Sequence, residues 1–600
     1  MNHARTRSLF LGTLASALLS ASVAAAQSPA PAAKPDAWSA EQRRAVLDQT
    51  RTLRLAPDLS GLRPGERAAV DHLLKAGEIV QSLYERQTHP QAADARAMID
   101  AMPAGPAREE YRQLFRLFKG PIATTLDNQR QPFVPVAAVQ PGKGVYPDGL
   151  TRADFDAFLA AHPDQRDALL DPLSVVRRAD AAQLAEDLAT LERHPALDLL
   201  HPGLRARLAA MRPASGALYA LPYSVAWPEE TLAIYAHLNA AADAVAAEDA
   251  DFAGYLRARA RDLLSDDYEA GDAAWVTGRF DRLNAQIGAY ETYDDELLGV
   301  RAFWSLTVLL RRDAESDAVG KALGGLQAIH DALPFTFERK VREQIPVGVY
   351  DVVADFGQSR GGNTATILPN DADHSRRYGR VIMMRDNLIR HPESGGQAGA
   401  TWRAAIVPAQ HGDFDPEGSV QRTLWHEIGH YLGVDRTADG REVDAALQDS
   451  ADLFEEMKSD LVSLNAVPAL QASGYYTPAQ AKAVYASGIL RVLQRNKPRR
   501  DQPYNTMQLM QWNWFLDRGA LMFDPASQRM RIDYAKYPEA VRTLLAEVLA
   551  LQAGGDRDKA EAFVTRWTAW DPALHEPVAE AIRKALTYRY ALYRYAALGE

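Results

Sequence analysis

The sequence predicts an α+β protein that is mainly α-helical, with a small β core in the middle of the chain. Helical periodicity of apolar residues covers much of residues 38–264 and the chain after Asp415. Between these regions, runs rich in β-branched residues and bounded by Pro or Gly predict strands at 345–357, 380–389 and 403–409. The chain has 600 residues, 47% of them apolar, which is enough for one large or two ordinary domains, so two lobes are expected.

Residues 1–26 have the features of a secretory signal peptide. Two arginines precede an apolar stretch at 9–21, and three alanines at 24–26 form a small-residue cleavage site. The mature chain is expected to begin near Gln27, with a Pro/Ala linker over 27–37. A membrane anchor is the alternative, but the apolar run is short and is diluted by Ser and Thr. The sequence therefore predicts a periplasmic or secreted protein.

Composition limits the partners and the chemistry. The formal net charge is −11, and such an acidic surface repels nucleic acid and anionic lipid. Neither nucleic acid nor a membrane is expected as a partner once the signal peptide has been removed. The chain contains no cysteine, so it forms no disulfide and has no thiolate chemistry. Any metal ion has to be held by His, Asp or Glu.

The segment TLWHEIGHYLG, residues 423–433, carries the strongest functional signal. His426 and His430 are four residues apart, so both imidazoles can approach one ion from the same face of a helix. Glu427 is rotated by about 100° and can stand beside a metal-bound water, as in the His-Glu-x-x-His signature. The alternative is an amphipathic helix with exposed histidines. The helix is expected to reach Gly433 and to bury the opposite stripe, formed by Val420, Leu424, Ile428 and Leu432.

A second predicted helix, residues 447–465, offers a third ligand. Acidic residues recur along it at spacings of three and four: Asp449, Asp452, Glu456 and Asp460. Glu456 is predicted to complete a His₂Glu site, with Glu455 as its rival and otherwise a neighbour of the ligands. Asp460 is expected to accept the N–H of a ligand histidine and so fix its tautomer. The alternative is an ordinary solvated acidic face.

A His₂Glu set with one open position is typical of catalytic zinc, so one Zn²⁺ per chain is expected. Zinc lowers the pKa of a bound water to about 7 and polarises a carbonyl group. Glu427 would take the proton from that water and pass it to the leaving amine. The two segments together indicate a zinc metallopeptidase.

The chain resembles the dipeptidyl-peptidase III family of zinc metallopeptidases, over about residues 220–600. The matching segments lie at 287–296, 367–373, 455–460 and 507–523. The resemblance implies that Glu456 binds zinc and that Tyr293 helps to polarise the substrate carbonyl. It also implies that Glu291 and Asn370 lie near the free amino end of the peptide.

The same resemblance implies two lobes separated by a wide cleft. Residues 38–410 would form a lobe of helices around a β-barrel-like core, and residues 411–600 the helical lobe that carries zinc. The chain departs from the family pattern at three places. The zinc motif has five residues instead of six, and Ile367 replaces the first asparagine of the amino-end anchor. A histidine expected shortly before Met507 is absent, with Tyr504 or Asn505 in its place.

The first functional hypothesis is therefore zinc-dependent hydrolysis of oligopeptides, with release of dipeptides from the amino end. The Ile367 departure motivates a second hypothesis, a zinc endopeptidase or oligopeptidase of other specificity. The missing histidine and the altered anchor motivate a third, a peptide-binding protein on a catalytically weak peptidase scaffold.

Overall fold

The computed structural model describes residues 36–600 except 128, 337–340, 342–344, 362–363, 435, 448–449 and 501. The predicted signal peptide and residues 27–35 of the predicted linker, as well as Asp449, lie outside the described residues. None of the helices in this part of the chain combines the length and the apolar character that crossing a membrane requires.

Helices make up most of the fold, which confirms the mainly α class. The helices in the described part of the chain are α1 Ala40–Leu47, α2 Pro64–Thr88, α3 Ala92–Asp100, α4 Pro106–Phe118, α5 Arg152–Ala161, α6 Arg166–Leu169, α7 Ala181–Arg193, α8 Pro195–Leu200, α9 Leu204–Ala210, α10 Tyr223–Ala226, α11 Pro228–Val245, α12 Ala250–Ser265, α13 Glu269–Thr277, α14 Asp313–Ala322, α15 Leu326–Asp331, α16 Ala372–Arg377, α17 Asp386–Ile389, α18 Pro392–Ala405, α19 Pro416–Gly429, α20 Val443–Leu447, α21 Ala451–Asn465, α22 Val467–Ala472, α23 Pro478–Val492, α24 Pro503–Asp517, α25 Tyr537–Gly554, α26 Arg557–Trp567 and α27 His575–Ala585.

The strands are short and fall into several small sheets. They are β1 Thr50–Leu55, β2 Ile122–Thr124, β3 Arg130–Pro132, β4 Ser174–Arg178, β5 Leu218–Pro222, β6 Leu283–Ala289, β7 Trp304–Arg311, β8 Val347–Gly357, β9 Ala365–Leu368, β10 Val381–Arg385, β11 Leu521–Asp524, β12 Arg529–Ile532 and β13 Tyr590–Tyr595. The predicted small β core is the five-stranded sheet, in the order β6-β7-β8-β10-β9. Within it β8 and β10 are parallel, and the other neighbouring strands are antiparallel.

Two of the three predicted strands are present, as β8 and β10. The third prediction, at 403–409, was wrong: α18 continues to Ala405, a 3-10 helix begins at Pro408, and only Ile406 makes an isolated bridge. The short apolar run there is the end of a helix face, since Trp402 and Ala405 pack into the core. The expectation of helix alone after Asp415 was also incomplete, because β11–β12 and β13 lie in that region.

The central sheet lies between two large buried clusters of apolar side chains. Successive side chains of a strand point to opposite faces of a sheet. In β10, Val381 and Met383 belong to the first cluster, whereas Ile382 and Met384 belong to the second. The sheet is therefore the wall between the two lobes of the fold. The predicted domain boundary at residue 410 stays a prediction.

Helix α19, which carries the His-Glu-x-x-His segment, packs between α21 and α23. Its contact with α23 is close because Gly418 has no side chain. A Cβ atom at Gly418 would lie 2.3 Å from the carbonyl oxygen of Ala483, well inside van der Waals contact. This glycine therefore sets the distance between the two helices.

We expect Gly418→Ala to lower the free energy of unfolding by about 1–3 kcal/mol, because the added methyl group forces α19 away from α23. Thermal unfolding followed by circular dichroism measures the effect. Gly254→Ala is the matched control, since Gly254 lies in α12 with open space around its Cβ position. That control should stabilise the protein by about 0.5–1 kcal/mol. Equal melting temperatures for both variants would contradict the close contact.

Candidate metal centre

Helix α19 begins at Pro416, and the Asp415 side chain caps it by accepting the Glu417 N–H at 2.9 Å. The helix ends at Gly429, so His430 is its C-cap and the predicted end at Gly433 was too late. The histidine face is buried and not exposed, with His426 only 6% exposed. This differs from the expected one-sided burial because α21 covers that face.

The structure brings the three predicted ligands together. One ligand atom from each of His426, His430 and Glu456 lies within 4.8 Å of the other two. His426 Nε2 is 3.1 Å from Glu456 Oε2, and His430 Nε2 is 3.9 Å from Glu456 Oε1. Two imidazoles and a carboxylate at this spacing are a ligand set that zinc prefers.

The hydrogen bonds around the histidines show that this set fits a metal ion. Nδ1 of His426 lies 2.8 Å from Asp460 Oδ1, and Nδ1 of His430 lies 2.9 Å from Glu455 Oε1. Both rings therefore turn Nε2 towards the shared space. Among the described residues, the buried Oε2 of Glu456 has no well-aligned hydrogen-bond donor. A cation between these atoms would satisfy all three.

Asp460 lies beside Nδ1 of His426, and two residues that the sequence analysis missed hold it in place. Arg422 Nη1 donates to Asp460 Oδ1 at 2.8 Å, and Arg491 Nε donates to Oδ2 at 2.7 Å. Burial would raise the pKa of Asp460, but Arg491, His426 and Arg422 hold it well below the usual range. The carboxylate is therefore charged and oriented towards His426.

Glu455 lies on the Nδ1 side of His430 and not among the three grouped ligand atoms. Lys458 Nζ donates to Glu455 Oε1 at 2.7 Å, and Gln552 Nε2 donates to Oε2 at 3.2 Å. Ser459 Oγ is a second neighbour of His430 Nδ1, at 3.0 Å. This arrangement favours Glu456 over Glu455 as the ligand.

Glu427 is buried beside the ligands. Burial raises the pKa of Glu427, His426 and His430 oppose that rise, and Glu456 adds to it. Burial alone would lower the pKa of His426, but Asp460 and Glu456 outweigh it and raise that pKa to about 9. His426, Glu427, Glu456 and Asp460 therefore bring ionisable groups of both signs into one small buried space.

Glu291 and Asn370, the predicted substrate residues, are neighbours on the other side of the site. Asn370 Nδ2 lies 3.1 Å from Glu291 Oε2 and 3.3 Å from the backbone oxygen of Tyr290. Burial raises the pKa of Glu291 to about 7, the Asn370 hydrogen bond opposes the rise, and Glu427 and Glu456 add to it. The charges of Glu427 and Glu456 therefore act directly on the ionisation of Glu291.

Tyr293 follows two residues after Glu291 and is 60% exposed. Its neighbour is Tyr504, in the first turn of α24, whose hydroxyl interacts with the Glu456 carboxylate. Burial and the Glu456 charge raise the pKa of Tyr504, so the hydroxyl is neutral and can donate a hydrogen bond. Of the two candidates for the position of the missing histidine, Tyr504 is therefore the one placed at the metal centre. Asn505 instead donates to Gln494 at 3.0 Å.

A buried polar network, which the sequence analysis missed, supports the Glu291–Asn370 pair. The Tyr290 hydroxyl donates to Asp272 Oδ1 at 2.8 Å, and His374 Nδ1 lies 2.8 Å from Asp272 Oδ2. Tyr290 precedes Glu291, and His374 lies in the helix that follows Asn370. One buried carboxylate therefore ties together the two segments that carry the substrate residues.

Local spacing could have identified some of the missed residues. Arg422 precedes His426 by four residues and Lys458 follows Glu455 by three, so each pair shares a helix face. Arg491, Gln552 and Asp272 lie far away in the sequence, and no local pattern marks them.

We expect Asp460→Asn to weaken zinc binding about 10–100-fold, because the neutral amide no longer fixes the charge and tautomer of His426. Competition with a chromophoric chelator measures the affinity. The exposed Asp558→Asn is the control, and circular dichroism checks that both variants are folded. A folded Asp460→Asn protein with unchanged zinc affinity would show that Asp460 does not support the metal.

The comparisons with known proteins agree with this geometry at the level of the fold. Dipeptidyl-peptidase III from Caldithrix abyssi has a TM-score of 0.77 and 24% identity, covering 92% of this chain and 99% of that protein. Dipeptidyl-peptidase III from Corallococcus sp. strain EGB has a TM-score of 0.78 and 23% identity, covering 94% and 98% respectively. No family model matches the sequence.

One curated relative is Nudix hydrolase 3 of Arabidopsis thaliana, 25% identical over 438 residues. The match covers 71% of this chain but only 54% of the plant protein, so the chain spans about half the length of that relative. The name of the whole plant protein therefore says little about this chain. The structural matches confirm the resemblance seen in the sequence: this chain has the two-lobed fold of the dipeptidyl-peptidase III proteins.

Proposed function

We propose that the protein is a zinc-dependent peptidase that releases dipeptides from the amino end of oligopeptides. The observation that carries the proposal is the convergence of His426, His430 and Glu456 next to the buried Glu427. The fold shared with two dipeptidyl-peptidase III structures supports the same conclusion.

His426, His430 and Glu456 would hold one zinc ion. The bound ion supplies a Lewis acid that polarises a carbonyl oxygen and makes a coordinated water more acidic. The surrounding residues keep the three ligands available. Asp460 and Glu455 occupy the Nδ1 atoms of the two histidines, which leaves both Nε2 atoms for the metal.

Glu427 is the proposed general base. Its burial disfavours the charged carboxylate, so it accepts a proton from the attacking water more readily than an exposed glutamate does. Water adds to the peptide carbonyl carbon, the C–N bond breaks, and the same proton moves from Glu427 to the leaving nitrogen. The products are a carboxylic acid and an amine, between which one proton passes to give a carboxylate and an ammonium group, and Glu427 returns to its starting state.

We propose that two tyrosine hydroxyls stabilise the negative charge that develops on the carbonyl oxygen. Tyr293 projects from the segment between β6 and β7, and Tyr504 stands beside Glu456. Hydrogen-bond donors fixed near a developing oxyanion lower the barrier of acyl transfer. We propose that Tyr504 fills part of the role left by the missing histidine, which weakens the case for a purely peptide-binding protein.

Glu291 and Asn370 are the proposed anchor for the free amino end. A carboxylate and an amide oxygen can both accept from an ammonium group. Because this anchor faces the metal centre from a fixed position, it would determine how many residues lie between the amino end and the cleaved bond. Binding the amino end at this place favours dipeptide release.

One observation favours a broader specificity. Ile367, which stands where the family has an asparagine, lies in β9 and packs against the second apolar cluster. Its side chain therefore offers no hydrogen bond to a peptide, and the set of polar side chains in the anchor is smaller than in the family pattern. An oligopeptidase that also cuts internal bonds is the second candidate function.

We also propose that the protein is exported and that its substrates are neutral or cationic oligopeptides. The amino-terminal features of the sequence support export, and the net charge of −11 supports neutral or cationic oligopeptides as substrates.

The cleavage pattern tests the proposed function. Mass spectrometry of an unblocked peptide library incubated with the zinc-loaded protein should show two-residue amino-terminal fragments, with amino-acetylated peptides left intact. Glu427→Ala should keep one zinc per chain and lose at least about a hundredfold in turnover, because the general base is gone. Internal cuts in blocked peptides would instead establish the oligopeptidase. Tight binding without cleavage would establish a binding protein.

The pKa of Glu291 predicts a pH effect on peptide binding. In the metal-free protein this carboxyl has a pKa of about 7, so it is mostly uncharged below that pH. An α-amino group has a pKa of about 7.7–8.0 and is still cationic there. Between about pH 6 and 7.5, affinity for an unblocked peptide should rise by up to roughly tenfold, the value of one charge-assisted hydrogen bond.

Calorimetric titration of the metal-free protein measures this rise. Glu291→Gln is the matched variant, and an amino-acetylated peptide is the matched ligand. Neither should show a pH-dependent gain. The same gain in Glu291→Gln would assign the effect to another group.

A further inference from the structure

Asp272, in α13, is the point at which the two segments of the proposed amino-end anchor meet. Its Oδ1 accepts from the Tyr290 hydroxyl at 2.8 Å, and its Oδ2 lies 2.8 Å from Nδ1 of His374. Tyr290 is the residue before Glu291, and His374 lies in α16, four residues after Asn370. Each oxygen of one buried carboxylate therefore holds one half of the anchor.

The carboxylate itself is fixed by Arg259, whose side chain is fully buried. Arg259 Nη2 donates to Asp272 Oδ1, and Arg259 Nη1 lies 3.3 Å from Asp262 Oδ2. The rings of Tyr268 and Tyr290 lie against the guanidinium, with their centroids 4.7 and 5.6 Å from its central carbon. A buried guanidinium between two carboxylates and two rings has little freedom to rotate, so it holds Asp272 in one orientation.

The segment 369–375, which carries the amide half of the anchor, is joined by hydrogen bonds among its own residues. The Asp371 side chain accepts from the His374 N–H at 2.9 Å, and Ser375 Oγ donates to the backbone oxygen of Pro369 at 2.9 Å. These bonds give the segment its shape, but they do not set its position relative to the other half of the anchor. The His374 ring supplies that connection, because it reaches from this segment to the buried carboxylate.

A second contact joins α13 to the end of α16 nearer the surface. The Tyr378 hydroxyl donates to Glu269 Oε1 at 2.9 Å, and Arg377 Nη1 donates to the same oxygen. The side chain of Glu269 is 38% exposed and that of Arg377 is 56% exposed, so water and salt screen this ion pair. The buried contact between His374 and Asp272 is screened far less. It is therefore the stronger link between the two helices.

We propose that His374 and Asp272 are positioning residues that select peptides with a free amino end. Acting through Tyr290, they set the separation between Glu291 and Asn370, and with it the length of the released fragment. Neither residue has to touch the peptide. This inference rests on the proposed function, in which Glu291 and Asn370 bind the amino end. Because the anchor has fewer polar side chains than the family pattern, its selectivity depends all the more on how firmly these two are held.

Calorimetric titration of the zinc-loaded protein with an unblocked dipeptide and with its amino-acetylated form tests the proposal by binding alone. The unchanged protein should bind the unblocked form at least about tenfold more tightly, the value of one charge-assisted hydrogen bond. His374→Leu should reduce this preference to about threefold or less, because the residue keeps its size but loses the donor to Asp272. His374→Asn should restore the preference, since its amide N–H can take the place of the ring Nδ1–H. Glu269→Gln is the matched control at the same two helices and should keep the full preference.

The lengths of the cleavage products give a second readout. Mass spectrometry of unblocked peptides incubated with His374→Leu should show one-residue and three-residue amino-terminal fragments beside the dipeptides, whereas Glu269→Gln should release dipeptides alone. A variant that is merely less stable would contain less active protein, and neither its preference for the free amino end nor its product lengths would change. The two readouts therefore separate positioning of the anchor from support of the fold.

A folded His374→Leu protein that keeps both the binding preference and the two-residue products would overturn the inference. If that variant fails to fold, Tyr290→Phe takes its place, because it removes the hydroxyl donor on the other segment and keeps the ring. An undiminished preference in folded Tyr290→Phe rejects the inference, as does an unchanged protein that does not distinguish the two dipeptides.

The proposed function can fail separately. An unchanged protein that prefers the free amino end but cleaves no peptide contradicts the peptidase, and the comparison of His374→Leu with Glu269→Gln in binding then still decides whether His374 positions the anchor.

Discussion

The candidate metal centre depends above all on the interactions of the buried carboxylate of Asp460. It accepts from Arg422 in α19 and from Arg491 in α23, and it lies against His426 from its own position in α21. One side chain thus joins the three helices of the site. Removing one partner of a buried ion pair typically costs about 3–5 kcal/mol, because the remaining charge is left uncompensated. The pairing therefore fixes both the orientation of His426 and the packing of the helices.

The central sheet is the second part of the fold that positions the candidate site. Alternate residues of β10 belong to the two apolar clusters, so the sheet is packed on both faces. Glu291 lies two residues after the end of β6, and Asn370 lies two residues after the end of β9. The proposed substrate residues therefore lie just beyond strand ends, and the proposed metal ligands lie in or at the end of helices. A peptide lying between them would meet two preformed surfaces, which lowers the ordering cost of binding.

The sequence was most informative where candidate functional residues are spaced regularly along a helix. His426, His430 and Glu456 were predicted from spacing along two helices, and Asp460 from one further turn, because helical geometry alone brings such residues to one face. The mainly helical class and the strands β8 and β10 were predicted correctly. Residues 403–409 were wrongly assigned to a strand, since a short apolar run fits the end of a helix equally well.

Other features could not be predicted from local pattern. β6 and β7 were missed because strands buried on both faces lose the alternation that marks a strand. The helix face that carries His426 was expected to be exposed, but burial depends on which element packs against it. Arg491 and Asp272 contact residues that are far away in the sequence, and the residue pattern of a single sequence does not reveal such contacts. The placement of Tyr504 likewise required the three-dimensional arrangement.

The pairing of β1 with β13 has a consequence for the order of assembly. These strands are parallel neighbours, with Leu55 opposite Tyr595. A ribosome adding about 5–20 residues per second completes β1 on the order of a minute before β13 emerges. The β13 partner of β1 is therefore missing, and the edge of β1 that pairs with it stays open, until nearly the whole polypeptide has been made. Closure of this ribbon is a late event, and the nascent chain needs protection of that edge during the interval.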